Sequence, residues 1–117
     1  VNTFTDSDKD AIVYALRWWA TDFADLLRRE RRLGLCPHCV ECVMTICDRI
    51  SDLGIHHGQL PIKGDERGIV ASVCEGFAKF AQIAGAPDSL DYEHRCLYLN
   101  RALTAADVAA RISGATA

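Results

Sequence analysis

Apolar residues recur along this chain at the three- and four-residue intervals of an α-helix, and nowhere with the strict alternation of a half-buried strand. Ile12, Leu16, Trp19, Phe23 and Leu26 form the first stripe. Thr5 precedes it, with Asp8 three residues on, the pairing of an N-cap hydroxyl with a side chain that reaches back to it. A first helix over roughly Asp6–Arg32 is predicted. The arginines of its last turn oppose the negative end of its dipole, and Gly34 suits its cap. Pro37 fits the first turn of a helix, where its missing N–H leaves nothing unpaired. A second helix is therefore expected from Cys36 or Pro37 to Leu53, ended by Gly54.

Residues 54–64 carry three glycines and a proline and read as a loop. A third helix follows over about Asp65–Ala84, with Ile69, Val70, Val73, Cys74 and Phe77 on one side, and Gly85-Ala-Pro87 stops it. A fourth, about Ser89–Ala102, carries Tyr92, Cys96, Leu99 and Leu103. Thr104-Ala-Ala-Asp107 matches a capping box and predicts a short last helix through Ile112. Short turns after the first and third helices make those neighbours antiparallel, so the expected fold is all-α: an up-down four-helix bundle with a short C-terminal fifth helix, in one domain over residues 1–117. Trp19, Phe23, Val43, Ile50, Val73, Phe77 and Leu99 are expected to share its core. Trp18 projects about 100° away from Trp19 and is expected beside Tyr14 on the flank, as a half-buried aromatic or a partner contact.

Half the residues are hydrophobic and a quarter charged, an ordinary globular composition. No run approaches the ~18 apolar residues of a membrane-spanning helix. The net charge of −3 argues against a broad basic surface for nucleic acid or anionic lipid. The basic residues are unevenly spread, however, with four of the 13 between Arg28 and Arg32. The opening Val1-Asn-Thr-Phe-Thr-Asp has neither a basic n-region nor an apolar h-region, so a reducing, cytoplasmic setting is expected. There, six cysteines point to metal binding or catalysis rather than to a disulfide framework.

Three of those thiols and an imidazole fall within seven residues, Cys36-Pro-His-Cys39-Val-Glu-Cys42, directly after the arginine run. Thiolate is both a nucleophile and a soft metal ligand, and a helix N-terminus or nearby cations favour it. Cys-Pro-x-Cys is a common ligand pair at a helix start, and a zinc site needs four ligands. In the expected bundle His94 and Cys96 stand near the same end as Cys39 and Cys42, so the zinc ligands are expected among Cys36, Cys39, Cys42, His94 and Cys96. Cys47 continues the spacing toward an iron–sulfur pattern, although the last interval differs from the usual run. Copper(I) is a further soft-metal candidate. Cys47, Cys74 and Cys96, about 10 to 16 Å farther along at ~1.5 Å per residue, are read as one buried layer of small core residues, with ligand roles as the alternative.

Cys36-Pro-His-Cys39 also resembles the active-site motif of the thioredoxin-fold disulfide oxidants, in which the first cysteine of a helix-capping pair attacks. The resemblance covers those four residues, and the βαβ framework of that family is absent from the predicted elements. It implies thiol–disulfide exchange, with Cys36 attacking and Cys39 resolving. No Ser-His-Asp set, phosphate-cradling glycine loop or catalytic carboxylate pair is recognisable, and His56-His57 reads as a polar loop pair. The chain is thus expected to be a small metal-binding helical protein, zinc first, acting as an interaction or regulatory module whose partner is another protein or a second copy. The alternative is the oxidoreductase.

Overall fold

The computed structural model describes residues 3–23, 25 and 37–113. Among them are four α-helices: α1 (Asp6–Trp18), α2 (Pro37–Leu53), α3 (Arg67–Ala84) and α4 (Tyr92–Ser113). No strand occurs among the described residues beyond one isolated bridge between His56 and Gln59. The predicted all-α class therefore holds. No helix among them is long and apolar enough to cross a membrane.

α1 starts where the capping pair predicts. The Asp8 amide donates to the Thr5 hydroxyl at 3.3 Å, and the Thr5 amide donates to the Asp8 carboxylate at 2.9 Å. Asp8 is buried, and Arg111 near the end of α4 stands 2.8 Å from its carboxylate. Arg111 also donates to the Thr3 carbonyl at 3.0 Å. One carboxylate thus both caps the first helix and anchors the last. At Trp19 the α-helix passes into a π-helical turn, Trp19–Phe23, where the Thr21 hydroxyl donates to the Arg17 carbonyl at 2.6 Å. Such back-bonding to the preceding turn commonly accompanies a distorted helix. The predicted stretch 26–32 of the first helix lies outside the described residues.

α1 packs against each of the other three helices, so its buried sector is wide. That width reverses one expectation. Trp18 is buried against Phe77 and Phe80, at ring-centroid distances of 5.4 and 5.3 Å, whereas Trp19 is only half-buried. Phe77 of α3 is fully buried and also meets Tyr14 of α1 at 5.5 Å and Tyr98 of α4 at 5.3 Å. Val43, Ile46, Cys47 and Ile50 bring the inner face of α2 into the same core. Val43, Ile50, Val73 and Phe77 are buried as expected, and the Phe23 side chain lies outside the described residues.

The predicted fifth helix is not separate. α4 runs unbroken for 22 residues, with Thr104 and Asp107 inside it. No glycine or proline interrupts this stretch, and Asp107 pairs with Arg111 one turn on, at 2.9 Å, instead of capping a new helix. Leu99 is also not in the core. It is 43% exposed, because α4 turns Tyr98, Ala102, Ala105, Ala109 and Ile112 inward. Ala78 and Gln82 of α3 flank Leu99 and Leu103, while Glu75 and Lys79 flank Ala106 and Ala110, so α3 and α4 run antiparallel.

Between α2 and α3 the loop makes a tight turn. His57 and Gly58 take positive φ values of 52° and 74°, as the right-handed twist of a two-residue hairpin turn favours. The Gly58 carbonyl accepts from the Phe4 amide at 2.8 Å, and a Cβ at Gly58 would lie 2.9 Å from the Thr3 side chain. His56 and His57 are exposed, as expected of a polar loop pair.

Truncating Phe77 removes the ring shared by α1, α3 and α4 and leaves a cavity. Phe77→Ala should cost about 3–5 kcal/mol, read as a lowered urea midpoint with the slope unchanged. A loss below about 1 kcal/mol would contradict this placement of the core.

Candidate functional site

The thiol-rich segment leads into α2. Cys36 lies outside the described residues, as does the side chain of Cys39, while the backbone of α2 begins at Pro37 and carries Cys39 in its first turn. Cys42, one turn farther, is half-buried and lines a groove of about 650 Å³ between α2 and α3. Trp19, Val43, Ile69 and Val73 make its apolar walls, and Asp65 and Ser72 supply polar groups. A smaller hollow adjoins it, lined by Glu41, Cys42, Asp65, Glu66 and Ile69 among others. Cys42 and Asp65 border both.

Local structure explains this arrangement. Trp19, about 100° around the helix from buried Trp18, lines the groove at the start of the π-helical turn. A 3₁₀ turn, Gly64–Glu66, leads into α3 and carries Asp65. Glu66 holds that turn against α2: its carboxylate accepts from the Arg49 guanidinium and from the Lys63 amide, the latter at 2.8 Å. The Arg49 hydrogen bond, reinforced by the Lys63 amide, draws the Glu66 pKa below its ordinary value of 4.5. Gly68, which lines the groove, has open space where a Cβ would stand.

The remaining candidates are dispersed. His94 and Cys96 are exposed at the start of α4, and neither lines the groove or the hollow that Cys42 borders. The His94 ring lies 2.7 Å from the Asp91 carboxylate, which also accepts the His94 amide at 2.9 Å. The expected layer of Cys47, Cys74 and Cys96 is only partly present. Cys47 and Cys74 are fully buried, whereas Cys96 is exposed. Burial pushes the Cys74 thiol up to about 12. It also raises Cys47, against the lowering effect of Arg17, and the Cys47 sulfur sits 3.8 Å from the Val13 carbonyl. Both are core residues with little thiolate character.

Among the described residues no three His, Cys, Asp or Glu side chains converge to hold a metal ion. Sequence reasoning missed Asp65 altogether. It pointed only to a helix start there, and sharing a groove with Cys42 depends on the tertiary fold. Comparison with protein-family models, with curated proteins and with solved structures returned no match for this chain.

Two outcomes follow. Iodoacetamide at neutral pH should modify exposed Cys96 in the folded protein, with Cys47 and Cys74 reacting only as it unfolds, as peptide mass mapping can show. Early labelling of Cys74 would contradict its burial. The stability that Glu66 contributes should be fully present above pH 4.5 and lost as the pH falls through its lowered folded value. Urea midpoints of Glu66→Gln should therefore vary less across that acidic window than those of the unaltered protein.

Proposed function

We propose that this protein is a zinc-binding helical interaction or regulatory module in which Cys36, Cys39 and Cys42 supply thiolates at the start of α2. The observation that carries this reading is the helix itself. It begins at Pro37 and runs unbroken through Cys42, so Cys39 and Cys42 are three residues apart within its first two turns. Unpaired amides and the positive end of the helix dipole favour thiolate there. Thiolates are the ligands that soft and borderline metals select, and zinc takes four in a closed structural site.

Asp65 is our choice for the fourth position. Asp65 lines both hollows that Cys42 lines, and a carboxylate oxygen is an ordinary zinc donor. His94 and Cys96 are the alternative source of that ligand. A metal bound in this way ties the start of α2 to the start of α3 and bounds the apolar groove between them. That groove is the surface a regulatory partner would meet.

Elemental analysis of the full chain purified without chelators should find one zinc per chain. Cys36→Ser or Cys42→Ser should abolish stoichiometric metal and lower the melting temperature, because metal binding is then part of folding. Asp65→Asn should weaken cobalt(II) binding and alter its d–d spectrum. If Cys96→Ser does so instead, the fourth ligand is on α4. A metal-free protein that cycles a Cys36–Cys39 disulfide against a thiol–disulfide substrate would replace this reading with the oxidoreductase, in which Cys36 attacks and Cys39 resolves.

A further inference from the structure

We draw no further inference here: the strongest candidate, the apolar groove between α2 and α3 walled by Trp19, Val43, Ile69 and Val73, belongs to the site already described, and nothing in the structure shows what covers it.

Discussion

Phe77 is the residue on which the arrangement of helices depends. Its ring is fully buried and meets Tyr14 and Trp18 of α1 on one side and Tyr98 of α4 on another, all with centroids between 5.3 and 5.5 Å. Tilted and edge-to-face pairs of this kind add about 0.5–1.5 kcal/mol each beyond area burial, and they also fix angle. Three helices meeting at one ring cannot slide independently. The alanines of α4 let that helix approach closely around the junction, and the Asp8–Arg111 pair holds its far end to the start of α1. α2 is attached by aliphatic residues and Cys47 instead, with the Arg49–Glu66 pair fastening it to the entry of α3.

This division places the chemistry. The aromatic junction is tight and thiol-poor, and the two cysteines within the core, Cys47 and Cys74, are held protonated by burial. The groove by Cys42 lies between α2 and α3, with half-buried Trp19 lining it at the edge of the core. A thiol there can meet a ligand or partner without disturbing the junction.

Much of the local structure was legible in the residues themselves. Thr5 and Asp8 announced the first helix because a capping box is closed by groups three residues apart. Pro37 and Gly54 announced the limits of α2 because one lacks an amide hydrogen and the other takes the left-handed conformation, with φ of 69°. The same local rule misled at Thr104 and Asp107. A capping-box pattern inside a continuous helix looks identical until Asp107 is seen to pair with Arg111.

Helix type, most helix limits and the buried status of Val43, Ile50, Val73 and Phe77 were determined by the sequence alone, since spacing and backbone chemistry act over a few residues. Which face of each helix turns inward was decided only in three dimensions. On α4 the stripe through Leu99 and Leu103 is more apolar than the one through Ala102, Ala105 and Ala109, and periodicity favours the former. The tertiary structure buries the latter, because small side chains let α4 lie close to α3 while Tyr98 reaches Phe77. On α1 the choice between Trp18 and Trp19 went the same way, since three surrounding helices widened the buried sector. Cys42 and Asp65 border one groove although 23 positions separate them, because the tertiary fold sets α2 and the entry of α3 on its two sides.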